Sequence, residues 1–179
     1  MQQRTELVLD VAPTVPSCVL CDQMLLQRVL MNLVTNALKF CDEGRVTLSV
    51  VWGAEQGKLS VVVSDTGIGM TEEEQQGLFQ KFFQGGHGRG GTGLGLVVCQ
   101  QLVTQMGGTI AASSPGKGLG SRFSFDVVAP VVKSLGGWLS CTAAVVDGDV
   151  ARREALVNML RYVGAAVLPA GARSEEPHV

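Results

Sequence analysis

Residues 5–11, TELVLDV, alternate loosely between polar and apolar positions, which predicts an edge strand. Pro13 and Pro16 break the pattern. Asp22 stands where a helix N-cap belongs, and Leu26, Val29, Leu30, Leu33, Ala37 and Leu38 recur at helical spacing after it. A long helix running to about Phe40, apolar on one face, is expected. The period drops towards two over residues 45–52 (RVTLSVVW) and 58–64 (KLSVVVS), predicting two strands joined by a turn that carries Gly53 and Gly57. Thr71, followed by Glu72, Glu73 and Glu74, opens a second helix that should end near Phe83. Acids in its first turn suit the positive end of the helix dipole. A glycine-rich loop occupies 85–93. A third helix should run from about Leu94 to Met106, with Leu94, Val97, Val98, Leu102 and Met106 on one side and Gly107-Gly108 stopping it. Strands are expected at 109–113 and 121–128, around another glycine turn.

The pattern changes at Pro130. Residues 1–129 read as one domain, 130–142 as a linker and 143–179 as a separate, shorter segment. That segment offers a short apolar strand, an acidic turn with Asp147 and Asp149, a helix over about 150–162 and a second apolar run at 165–168. Its last residues look solvated.

Composition narrows the classes. The chain has 179 residues, 46% hydrophobic and 17% charged, enough to bury a substantial core. Net charge is −2 and no basic run exists, so nucleic acid is not an expected partner. No apolar stretch approaches the roughly 18 residues of a membrane span, and the N-terminus lacks a signal-peptide core, so a cytoplasmic chain is expected. Of five cysteines, Cys18 and Cys21 form a lone CxxC with no second pair, so core or strand roles are favoured over a zinc or redox role. The 23 glycines cluster at 85–95 and 116–120, where chemistry is to be sought.

Three elements carry candidate chemistry. Asn32 and Asn36 sit one turn apart in an otherwise apolar helix, with Lys39 on nearly the same face. Asparagine is a poor helix-interior residue, so the pair is either a solvated stripe or the polar wall of a pocket. An amide oxygen is a hard, neutral ligand for Mg²⁺, and lysine meets phosphate. Second, Asp65-Thr66-Gly67-Ile68-Gly69 follows directly on a strand. Its glycines allow the backbone to approach a flat ligand, and its carboxylate could accept from an adenine amino group. Third, Gly91-Thr92-Gly93-Leu94-Gly95 opens a helix, a setting that favours phosphate.

In this order and spacing, NLVTNALKF, DTGIGM and GGTGLGL resemble the N box and two glycine boxes of the ATP-binding domain of sensor histidine kinases, a branch of the GHKL superfamily. LFQKFF at 78–83 matches the intervening F box. The resemblance covers about residues 5–128. It implies an α+β fold, a two-layer α/β sandwich of the GHKL or Bergerat type, with a mixed sheet covered on one face by helices. It implies ATP and Mg²⁺ as ligands. Asn36 would coordinate the Mg²⁺ that bridges the phosphates, with Asn32 in support. Lys39 would reach the phosphates, and Phe40 would line the adenine pocket. Asp65 would hold the adenine amino group between Gly67 and Gly69. Gly91, Thr92, Gly93, Leu94 and Gly95 would form the phosphate loop, and residues 84–92, with Arg89, the mobile lid. The lid is a few residues shorter than is usual in the family.

The implied activity is transfer of the ATP γ-phosphoryl group to a histidine on a separate dimerisation domain, in cis in a longer protein or in trans, with a response-regulator receiver downstream. The chain would then be cytoplasmic or the cytoplasmic part of a membrane-bound sensor. Neither His87 nor His178 lies in a phosphoacceptor pattern. Asn32 stands where the ATP-hydrolysing relatives carry a water-activating glutamate, and an amide is no general base. Residues 143–168 resemble the opening of a receiver domain, incomplete and with Gly148 in place of an acid; a helical appendage is the other reading. The rival function is a pseudokinase or nucleotide-sensing module that binds ATP or a kinase partner without transfer.

Overall fold

The computed structural model describes residues 4–16, 19–83 and 92–131, together with the backbone of 142–144 and 166–168. The chain divides into two compact units, residues 1–131 and 132–179.

The first unit holds a five-stranded sheet. In chain order its elements are β1 (Arg4–Val11), α1 (Gln23–Phe40), β2 (Glu43–Gly53), β3 (Lys58–Asp65), α2 (Glu72–Gly77), α3 (Gly95–Gln105), β4 (Ile110–Ser113) and β5 (Ser121–Val128). The strand order is β1-β2-β3-β5-β4. Only β1 and β2 run parallel, joined through α1; the other neighbours are antiparallel. The sheet is therefore mixed, and β1 is an edge strand as its pattern predicts. In the second unit β6 (Thr142–Ala144) and β7 (Ala166–Leu168) pair in parallel on the two apolar runs. The helix expected over 150–162 lies outside the described residues. No described helix is long and apolar enough to cross a membrane.

The period-two pattern decides which face of the sheet is covered. Leu48 lies opposite Val63 and Val50 opposite Val61; Val61, Val63 and Leu59 in turn lie opposite Phe125, Phe123 and Val127. All are buried. The alternate positions, among them Thr47, Ser49, Ser60, Ser64 and Ser124, keep partial contact with solvent. α1 packs on β2 and β3, α3 on β4 and β5, and the two helices on each other.

α1 starts where expected: the Asp22 carboxylate accepts from the Leu25 N–H at 3.0 Å. Its innermost line is Val29, Leu33 and Ala37, extended one step past the helix by Cys41, and none is more than 2% exposed. Burying each of the larger side chains is worth about 1.5–3 kcal/mol. In α3 the buried positions are Val97, Cys99 and Val103, with Met106 just after. The thiol of Cys99 is pushed up to about 11 by burial.

α2 differs from expectation. It spans Glu72–Gly77, six residues, rather than reaching Phe83. Its N-terminus is a full capping box, with Thr71 accepting from the Glu74 N–H and Glu74 accepting from the Thr71 N–H. The chain then tightens into turns, with Gln80 N–H on the Gly77 carbonyl and Phe83 N–H on the Gln80 carbonyl. The Phe83 ring folds back against Gly77, 2.4 Å from where a β-carbon would stand. Phe82 takes a positive φ of 64°, which breaks helical continuity.

One polar knot ties the far end of the sheet. Asp126 on β5 accepts from Lys58 Nζ at 2.5 Å, from the Thr109 N–H at 3.1 Å and from the Thr109 hydroxyl at 2.5 Å. Burial pushes its carboxyl upward, but these donors outweigh that and hold it below the usual carboxylate range. Such a group stabilises the fold above its unfolded pKa and loses that contribution as pH falls through the depressed folded value. Asp126→Ala should cost about 1–3 kcal/mol at neutral pH. Urea titrations should show the gap between wild type and variant closing as pH falls below the ordinary carboxylate range and through the depressed folded value.

Candidate functional site

Asp65 closes β3, at the next position after Leu59, Val61 and Val63 on the covered face. Strand parity thus turns a carboxylate inward, leaving it 8% exposed. It accepts from the Gly67 N–H at 2.8 Å, and Ser121, its partner across the ladder, lies close enough to favour its charge. Burial raises its pKa above the ordinary value, and Gly67 and Ser121 offset part of the rise.

The turn after Asp65 is strapped on both sides. The Ile68 N–H bonds the Phe40 carbonyl at 3.1 Å, fixing it to the end of α1. On the other side Gly118 N–H donates to the Ile68 carbonyl at 2.7 Å and Gly120 N–H to the Gly67 carbonyl at 3.1 Å. A β-carbon on Gly67 would stand 2.1 Å from the Phe40 oxygen. Gly69 has a φ of +61°, and a β-carbon there would stand 2.0 Å from the Gly116 oxygen. Thr66 points away from the strap, its hydroxyl accepting from the Arg45 N–H at 2.9 Å and lying 3.7 Å from the Cys41 sulfur.

A second group forms where α1 meets the start of α3. Asn36 Nδ2 donates to Asn32 Oδ1 at 3.0 Å, so the pair is linked along the helix rather than independently solvated. Both are half-buried beside the innermost line of α1. Asn32 also lies against Gly95, 2.5 Å from the place a β-carbon would take. Thr92 is exposed, Leu94 is the N-cap of α3 without a side-chain cap bond, and Gly93 has a φ of +66°. The Gly93 carbonyl accepts from the Phe82 N–H at 3.1 Å. The last turn of α1 carries Lys39, whose Nζ stands 5.1 Å from the centre of the Phe40 ring.

The structure therefore gathers Phe40, Asp65, Gly67 and Gly69 at one end of α1, and Asn32, Asn36 and Gly95 along it. Arg89, Gly91 and most of the expected lid lie outside the described residues, as do His87, Cys18 and Cys141. Among the described residues no group of three or more His, Cys, Asp or Glu side chains could hold a metal. The motif reading missed Ser121 and the 114–120 loop, although the second glycine cluster pointed there. The residues present suit Mg²⁺ held through a phosphate ligand: with its nitrogen committed to Asn32, Asn36 offers an amide oxygen.

The family described as histidine kinase-, DNA gyrase B- and HSP90-like ATPase matches residues 21–133. Among curated proteins, the signal transduction histidine-protein kinase BarA of Escherichia coli is 41% identical over 130 residues, which are 68% of this chain and 14% of BarA. The sensor histidine kinase GacS of Pseudomonas protegens is 34% identical over 181 residues, 93% of this chain and 20% of GacS. The chain thus spans a fifth or less of these relatives. Among solved structures, full-length ShkA in complex with AMPPNP superposes with a TM-score of 0.65 at 25% identity, over 95% of this chain and 36% of ShkA. Family, relatives and the mixed sheet under its helices agree: the chain belongs to the GHKL-type ATPases and carries the ATP-binding catalytic domain of a sensor histidine kinase.

Proposed function

We propose that this chain donates the γ-phosphoryl group of ATP to a histidine on a separate helical dimerisation domain, in two-component signalling. The observation that carries the reading is the buried Asp65 carboxylate, fixed beside Gly67 at the end of β3 and presented next to the end of α1. Ionised, it accepts from the adenine amino group, while Gly67 and Gly69 let the turn close against the end of α1 and the 114–120 loop. Phe40 lines the same pocket. Asn36 supplies a neutral oxygen to Mg²⁺, and Asn32 holds the Asn36 amide in one orientation. Bound there with the phosphates, Mg²⁺ neutralises part of their charge. Thr92, Gly93, Leu94 and Gly95, at the N-terminal end of α3, receive the phosphates together with Lys39, Gly91 and Arg89.

Transfer breaks the bond between the γ-phosphorus and the oxygen that leaves with ADP, and forms a phosphorus–nitrogen bond at the acceptor imidazole. Most of the rate then comes from positioning and electrostatics. The Asn32 amide cannot deprotonate water, so bound ATP is kept for the acceptor rather than hydrolysed. The acceptor domain lies in the same longer protein or in another chain, and a receiver takes the phosphoryl group onward.

Asp65→Asn should weaken ATP binding by about 1–3 kcal/mol, roughly tenfold or more, as measured by calorimetry. The raised pKa adds a pH signature. Protonation removes the acceptor, so wild-type affinity should fall, relative to the variant, as pH drops through a value above the usual carboxylate range of about 3.9. Equal affinities for the two proteins across that range would sink the adenine role.

Asn36→Ala should reduce affinity for ATP with Mg²⁺ more than affinity without it; equal factors would remove the metal role. With labelled Mg-ATP, the chain alone should show at most trace autophosphorylation and hydrolysis. Adding a histidine-bearing dimerisation domain should give weak, acid-labile labelling of that domain, because no covalent linker raises its effective concentration. Phosphate on His87 or His178 would contradict the assignment.

A further inference from the structure

The 114–120 loop carries a hydrogen-bond hub that reaches Asp65 without touching it. Ser114 Oγ accepts from the Met70 N–H at 2.9 Å and donates to the Gly120 carbonyl at 2.7 Å. It therefore joins the far sides of the strap formed by residues 67–70 and 116–120. The main chain of Ser114 is itself gripped by one side chain. Gln75 Oε1 accepts from the Ser114 N–H at 3.0 Å, and Gln75 Nε2 donates to the Ser114 carbonyl at 3.1 Å. Gln75 lies on α2, which Thr71 and Glu74 cap and which an ion pair between Glu74 and Lys117 fastens to the same loop.

The consequence passes through the turn after Asp65. Ser114 holds the Met70 N–H on one side of the strap and the Gly120 carbonyl on the other. The Gly120 N–H donates to the Gly67 carbonyl at 3.1 Å, and the Gly67 N–H donates to the Asp65 carboxylate at 2.8 Å. Moving Gly120 therefore moves the residue that holds the carboxylate. Gly120 cannot drift inward either, because a β-carbon on it would stand 2.0 Å from the Asp65 main-chain carbonyl oxygen.

We infer that Ser114, held by Gln75, is a positioning residue for base recognition: it fixes Gly120 and the Gly67 turn so that the Asp65 carboxylate is aimed at the 6-position of a purine. The inference rests on the nucleotide reading above and assigns it a determinant remote from the ligand. Ser114 touches neither phosphate nor base in this scheme. Its effect should fall on discrimination between bases rather than on general affinity.

The test compares ATP with ITP, which carries a carbonyl oxygen where ATP carries the amino group, on the full 179-residue chain. Wild type should prefer ATP by about tenfold or more, since a carboxylate repels an oxygen and has lost its donor. Ser114→Ala should lower that preference roughly three- to tenfold, and Gln75→Ala should lower it less. Ser114→Thr, which keeps the hydroxyl, should restore it. Loss of folded protein scales both affinities alike and leaves their ratio unchanged, so the ratio separates positioning from general damage. A Ser114→Ala protein with a lower melting temperature but the wild-type ratio would overturn the inference and leave the nucleotide reading standing. A wild-type protein indifferent to the two nucleotides would overturn the adenine reading itself, and this inference with it.

Discussion

A carboxylate occupies the position where the inward ladder of β3 would otherwise continue with another apolar residue. Leu59, Val61 and Val63 fill the space under the helices, and Asp65 follows them onto the same face. Taking that charge out of water is unfavourable, as the upward pressure on its pKa records. The surrounding chain must offset that cost, and it does so from two directions: the Gly67 N–H donates from the turn, and Ser121 across the ladder favours the charge. A nucleotide base bringing a further donor would relieve the same cost, which makes an expensive residue a selective one.

The glycines after Asp65 follow from that requirement. For the turn to bend back onto its own aspartate, it has to pass against the end of α1 and under the 114–120 loop. Gly67 has no room for a side chain beside the Phe40 carbonyl, and Gly69 has none beside Gly116. α2 then acts less as a structural helix than as a bolt. Its six residues cover little, yet Gln75 and Glu74 reach the loop that closes the strap.

α1 serves both layers of the protein. Its line of Val29, Leu33 and Ala37 is core, while Asn32, one position before Leu33, lies against Gly95 at the start of α3 and accepts from Asn36. Packing of that apolar line fixes the rotation of the helix, and hence where the two amides point. A change in the core of α1 would therefore be felt at the candidate phosphate site without any contact to ligand.

The sequence by itself determined much of the plan. Periodicity located α1, β2, β3, α3 and β5 within a few residues, because each has one side buried and reads as a clean repeat. Asp22 marked a helix start because capping is a local interaction. The inward direction of Asp65 is also implicit in the parity of KLSVVVSD. Local pattern could not decide where α2 ends, because the positive φ of Phe82 and its N–H bond to the Gly93 carbonyl belong to the folded chain. Nor could it place Asn32 against Gly95, far along the chain, or tie the Asn36 amide to it. The linkage of Gln75, Ser114, Gly120 and Gly67 to Asp65 belongs to the tertiary structure alone. It joins residues as far apart as Gly67 and Gly120, partly through backbone groups whose identity no side-chain pattern encodes.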